Sequence, residues 1–104
     1  MPYQKLHGIL SICRKANKMA LGFLPMQEAL QTGKVCGVLI STDISSKTHK
    51  EVCYVCQKKN IPVIAVSLTM FEIGNITGRK AGVIAILDTG FFDRIRQLCE
   101  SQEN

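Results

Sequence analysis

Apolar residues recur at helical spacing near the start of the chain, at Leu6, Ile9, Leu10 and Cys13, and predict an amphipathic helix over roughly Tyr3 to Arg14. The short run KMAL, Lys18 to Leu21, predicts a strand. Pro25 fits the first position of a second helix, where a missing N–H leaves no hydrogen bond unmade, and it pushes Leu24 away from helical conformation. This helix is expected from Pro25 to about Thr32, with Gly33 as a left-handed cap and Glu28 in its first turn. VCGVLIS, Val35 to Ser41, is a continuous apolar run of strand length and reads as a buried strand. Ser45 or Ser46 caps a helix reaching about Lys59, and Pro62 opens another strand in PVIAVS. Thr69 caps a short helix in MFEIGNITG, GRKAG is a loop, and VIAIL, Val83 to Leu87, is a further buried strand. Gly90 leads into FFDRIRQLCE, a terminal helix with Phe91, Ile95, Leu98 and Cys99 facing inward.

The order is α-β-α-β-α-β-α-β-α. Strands this apolar need cover on both faces, which predicts the α/β class: a three-layer α/β/α sandwich around a mixed, mainly four-stranded sheet. Glycines and prolines are scattered singly, and there is no internal repeat, low-complexity tract or linker. A single domain is expected over residues 1–104, with its core at about 5–99. At 104 residues with 46% hydrophobic content, the chain is long and apolar enough to bury a core, which excludes a disordered chain.

Charge changes the picture. The formal net charge is +5, unevenly spread. Residues 1–34 carry Lys5, Arg14, Lys15, Lys18 and Lys34 against Glu28 alone, residues 35–68 net +2, and residues 69–104 net −1. Basic charge biased to one region suits a polyanion, or simply a solvated basic surface. No apolar run approaches the roughly 18 residues of a membrane span, and MPYQKLHGIL lacks a signal-peptide layout, so a cytoplasmic protein without membrane contact is expected. Five cysteines, an odd number, fit thiols in a reducing compartment.

Candidate chemistry is sparse. Cys53 and Cys56 form a C-x-x-C, and His49 adds a spacing of four on the same helical side. Structural zinc takes four ligands, and no second pair stands at useful spacing. A reactive C-x-x-C belongs at a helix N-terminus, whereas this one lies toward a helix end, so core packing of Val52 and Cys56 competes with a thiol or metal sensor and is the better account. GNITGRK, Gly74 to Lys80, is glycine-rich and basic but lacks P-loop spacing. His7 and His49 enter no nucleophile–base arrangement, and the acids form no paired-carboxylate site, so neither an enzyme nor a cofactor or metal is expected. Aromatic residues are few, and nucleic-acid recognition would use loops and helix N-termini rather than an aromatic sheet face.

The strings LSICRKANKMALGFLPMQEALQTGKVCGVLISTD, KKNIPVIAV, EIGNITGRK and VIAILDTGFFDRI, in this order and spacing over about residues 6–96, resemble bacterial YlxQ-type proteins of the ribosomal superfamily of the L-seven-Ae and L-thirty-e proteins. The resemblance implies the α/β/α sandwich and RNA binding, most typically of the kink-turn, a bent duplex with tandem sheared G·A pairs. It implies contacts at Gly22 to Glu28, Ser45 to His49, and Gly78 to Gly82. Kink-turn binders carry Gly-x-Asn-Glu-x-x-Lys at the second helix. Here Gly22 matches, but Leu24, Pro25 and Glu28 replace the Asn, Glu and Lys readers. Leu and Pro side chains form no hydrogen bonds to base edges, and Glu28 sets an anion near phosphates. In its first-turn position Glu28 would favour the helix dipole. The RNA-binding residues implied are Gly22, Ser45 and His49. Phe23, if exposed, would stack on a base, and Lys18, Lys34, Lys47, Arg79 and Lys80 would form a basic ring. The expected partner is ribosomal or other structured RNA, with ribosomal or other proteins as further partners and the chain itself a monomer. A protein-interaction module of the same fold that has lost RNA binding is the alternative.

Overall fold

The computed structural model describes residues 2–101. Its elements are α1 (Pro2–Lys15), β1 (Met19–Leu21), α2 (Phe23–Thr32), β2 (Gly37–Ile40), α3 (Ser46–Lys58), β3 (Val63–Ala65), α4 (Met70–Thr77), β4 (Val83–Ile86) and α5 (Thr89–Ser101). This is the expected alternation of helix and strand. Residues 1 and 102–104 of the expected domain lie outside the described residues.

The four strands form one mixed sheet in the order β1-β4-β2-β3. β4 runs antiparallel to both β1 and β2, with Leu21 opposite Ile84 and Ile40 opposite Val83, while β2 and β3 are parallel. Successive side chains alternate between faces. Leu39, Ile84 and Ile86 therefore join Leu6, Leu10, Cys13, Ile73, Phe92 and Ile95 of α1, α4 and α5 in one core. Val38, Ile40, Val83 and Ala85 join Met26 and Leu30 of α2 and Val52 and Cys56 of α3 in the other. This is the three-layer sandwich. Both central strands, β2 and β4, are buried throughout.

Four local expectations are corrected. Helix α2 begins at Phe23, two residues before Pro25, and Leu24 is helical. The first four N–H groups of a helix have no intrahelical acceptor, so a proline costs no bond anywhere in that turn; the first helical bond here is Met26 N–H to Gly22 O at 3.0 Å. Glu28 consequently stands in the second turn, and its carboxylate no longer meets the helix N-terminus. The strand β3 is only partly covered: it is an edge, with Ile64 leaning on one core and Val63 on the other, both half-buried, and Ala65 exposed. In α5 it is Phe92, not Phe91, that is fully inserted, and Phe91 and Cys99 only lean on the core. Gly37 makes room for that ring, since a Cβ there would overlap the Phe92 side chain. Among the described residues no helix is long and apolar enough to cross a membrane.

Candidate nucleic-acid interface

One end of the sheet gathers three chain segments. β1 delivers Gly22 there, β2 delivers residues 41–45, and β4 departs from there after the 78–82 loop. Backbone hydrogen bonds tie them: Gly22 N–H to Val83 O at 2.8 Å, Ser41 N–H to Gly82 O at 3.0 Å, and Thr42 N–H to Leu68 O at 2.9 Å. Between them lies an open groove of about 300 Å³ lined by Gly22, Phe23, Ile44, Ser45, Thr48 and Met70, with Asp43, Gly82 and Val83 completing it.

Three helices begin around this groove. Gly22 is the N-cap of α2, with φ 105° and ψ 161° and no side-chain cap, a conformation reached essentially by glycine alone. Ser45 caps α3: its Oγ accepts from Thr48 N–H at 3.2 Å and donates to Thr48 Oγ1 at 3.0 Å. That hydroxyl is engaged in the fold. Thr69 caps α4 in a capping box with Glu72. Asp43 reaches across from the loop after β2 to accept from Met70 N–H at 3.0 Å. This bond holds the Asp43 carboxyl below the usual carboxylate range; desolvation opposes it, and the Lys80 charge adds to the lowering. Beneath them lies the buried Ser41, whose side chain also favours the charged Asp43 carboxylate.

The basic loop is anchored from below. Buried Thr77 donates through Oγ1 to Ile73 O at 2.8 Å and accepts from Arg79 N–H at 3.3 Å. Arg14 Nε donates to Thr77 O at 3.2 Å. Gly78 turns the chain with φ 86°, leaving Arg79 and Lys80 exposed.

Gly22, Phe23, Ser45, Lys47, His49, Arg79 and Lys80 thus stand on the segments that meet at this end, with Lys47 and His49 exposed on the opening turns of α3. Phe23 is half-buried against the core of α2 and α3, so much of its ring is committed to packing. The exposed apolar side chain of this turn is Leu24, at 69%. Lys18 and Lys34 stand elsewhere: the Lys18 carbonyl accepts from Leu87 N–H at 2.8 Å, and Lys34 precedes Cys36, whose N–H meets Ile86 O, both at the opposite end of the strands. Proximity in sequence to Gly22 does not carry them into a ring, because β1 and α2 each run the length of the sheet.

Thr48, within the expected Ser45 to His49 segment, also lines the groove, as do Asp43, Ile44 and Met70, which nothing in their residue types singled out. The available signal was topological: parallel strands β2 and β3 release their following loops at the same end. The C-x-x-C does not form a pair of like sites. Cys53 is exposed and Cys56 buried, and burial, then the Cys53 charge, pushes the Cys56 thiol up to about 11. That is the reverse of a reactive thiol. Among the described residues no three His, Cys, Asp or Glu side chains cluster as a metal site.

Residues 4–95 match the family model described as the Ribosomal protein L7Ae/L30e/S12e/Gadd45 family. The chain is 27% identical over 89 residues to the large ribosomal subunit protein eL30 of Sulfolobus acidocaldarius, covering 84% of this chain and 86% of that protein. It is 26% identical over 92 residues to eL30 of Candida albicans, covering 86% and 87%. A protein of unknown function from Bacillus halodurans superposes with a TM-score of 0.84 at 27% identity over 92% of this chain and 97% of that one. The Giardia lamblia 15.5 kD RNA binding protein shares the fold, with a TM-score of 0.72 at 13% identity over 98% of this chain and 88% of its own. With the family model covering nearly its whole length, the chain belongs to the Ribosomal protein L7Ae/L30e/S12e/Gadd45 family.

Proposed function

We propose that this protein is a non-catalytic, cytoplasmic RNA-binding protein, a YlxQ-like bacterial member of its family, acting as a monomer on ribosomal or other structured RNA. The observation that carries the reading is the meeting of the α2 start, the α3 start and the 78–82 loop around one open groove, with Lys47, Arg79 and Lys80 exposed on those segments. The eL30 proteins of Sulfolobus and Candida and the RNA-binding protein of Giardia support it. Attraction is electrostatic, and selection comes from the shape presented by the three segments. Orthodox kink-turn recognition is weakened, because Leu24 and Pro25 offer no hydrogen-bonding side chains and Glu28 adds negative charge.

The test is a salt titration of RNA binding by the Arg79→Ala/Lys80→Ala protein. Two lost phosphate contacts should flatten the slope of log affinity against log salt by about 1.5–2 and weaken binding throughout. Unchanged slopes would remove this loop from the interface. A second reading, a protein-interaction module, is favoured by one observation: Leu24 and Phe71 are 69% and 68% exposed on the first turns of α2 and α4. The 260/280 absorbance ratio of the purified protein separates the two, since carried-over nucleic acid raises it.

A further inference from the structure

The outer side of α3 carries Lys47, Lys50, Tyr54 and Lys58. Their spacings of three, four and four set them in one row along the helix. Val52 and Cys56, both fully buried, point the opposite way. Tyr54 is 60% exposed, and Lys58 Nζ lies 4.4 Å from its ring centroid. The row begins beside the groove, two residues after Ser45, and ends at the cleft where Lys58 of α3 and its C-cap Lys59 face Gln27 and Gln31 of α2. It spans roughly 16 Å at about 1.5 Å per residue.

A solvated helix face gains stability by alternating charges, and this one carries three cations against one acid, Glu51, four residues after Lys47. Glu51 is the only acid on α3, and the one salt bridge found among the described residues joins Arg96 and Asp93 on the other side of the sheet. Lys47 and Lys50 are like charges at neighbouring helical positions, which oppose helix formation. Protein–protein contacts need an apolar centre, and Tyr54 is the only large apolar group here. Cations interleaved with an exposed aromatic ring suit a nucleic-acid backbone with an unstacked base or sugar beside it.

We propose that the outer face of α3 is a second contact for the same RNA, a track that holds the phosphate backbone of an arm leaving the groove. This rests on the RNA-binding reading above. The first site alone would hold a compact RNA element; the track adds affinity for one with an extended arm, and so selects between short and long forms of one motif.

Three labelled probes test this in anisotropy titrations: an RNA hairpin with an internal loop and short stems, and the same hairpin with each stem in turn lengthened by one helical turn. Wild type should bind one lengthened probe more tightly, with a steeper salt dependence. Lys50→Ala/Lys58→Ala should weaken that probe by about tenfold and flatten its salt slope by about 1.5–2, leaving the short probe unchanged. Tyr54→Ala should weaken the same probe alone, and Glu51→Gln should tighten it. These residues are exposed, and unchanged melting curves will confirm an intact fold. Equal loss on all probes, or no loss on any while Arg79→Ala/Lys80→Ala weakens all of them, would overturn the track and leave the first site standing. Loss of polyglutamate binding in place of RNA binding would assign the row to an acidic protein and overturn it too. Wild type binding none of the RNAs would bring down both readings.

Discussion

Helices α2 and α4 begin at the same end of the sheet, on two sides of one groove, and they begin in opposite ways. At α4 the Thr69 hydroxyl accepts from Glu72 N–H at 3.1 Å, the Glu72 carboxylate accepts from Thr69 N–H at 2.9 Å, and Asp43 takes Met70 N–H. Its exposed donors are almost all satisfied within the chain. At α2 the cap is Gly22, which has no side chain to offer. Its own N–H goes to Val83 O, Pro25 has none, and Phe23 and Leu24 present theirs in an uncapped first turn. Orphan donors at a helix start are closed by side chains of the chain itself at α4, whereas at α2 they are left to solvent or to a ligand. The difference is written in residue types: Thr and Glu at one start, Gly and Pro at the other.

The largest expected effect follows from Gly22. A Cβ placed there would sit 3.5 Å from Pro25 Cδ, an ordinary contact, so crowding is not the obstacle. The backbone is: with φ 105° and ψ 161°, alanine should destabilise the fold by about 1–3 kcal/mol. Gly22→Ala should lower both the melting temperature and RNA affinity, because the strain is relieved only by moving the open helix start. A melting curve matching wild type would mean that the start of α2 is not held as described.

A change at the same start should act in the other direction. Leu24→Asn with Pro25→Glu and Glu28→Lys restores hydrogen-bonding side chains and a cation, and gives position 25 an N–H. Leu24 and Glu28 are exposed, so neither core is disturbed. Affinity for a standard kink-turn RNA should rise by about tenfold, or ~1.4 kcal/mol. No gain would show that the surface has diverged beyond these three positions.

The difference between the two starts was only half legible in the sequence. Ser45 and Thr69 were readable as caps because capping is local: a hydroxyl and an N–H two or three residues away. The α2 start was misplaced because proline marks the first turn without marking which residue of it, and Gly22 was the better signal. The central strands were legible as unbroken apolar runs, Gly37–Ile40 and Val83–Ile86. Val63–Ala65 is as apolar, yet it is an edge, and strand order depends on pairings far apart in the chain. The choice of Phe92 over Phe91 was hidden for the same reason, resting on a bare Gly37 more than fifty residues earlier. Lys18 and Lys34 looked like parts of the interface because they flank Gly22 in sequence. Strand and helix direction carry both to the far end.

The smallest expected effect tests the closed start. Thr69→Ala removes the hydroxyl that receives Glu72 N–H, while residue 69 keeps the backbone N–H that the Glu72 carboxylate accepts. Loss of a cap of this kind costs about 1 kcal/mol, readable as a shift of the midpoint in a urea denaturation with an unchanged slope. RNA affinity, measured where the variant is fully folded, should not change, since the donors concerned face the chain and not the groove. The two capping substitutions then separate: alanine at Gly22 alters stability and binding together, alanine at Thr69 alters stability alone. A loss of RNA affinity in Thr69→Ala would place the start of α4 in the interface. The contrast would then lie in how tightly each start is held, because Asp43 would still fix Met70 N–H while nothing fixes the first turn of α2.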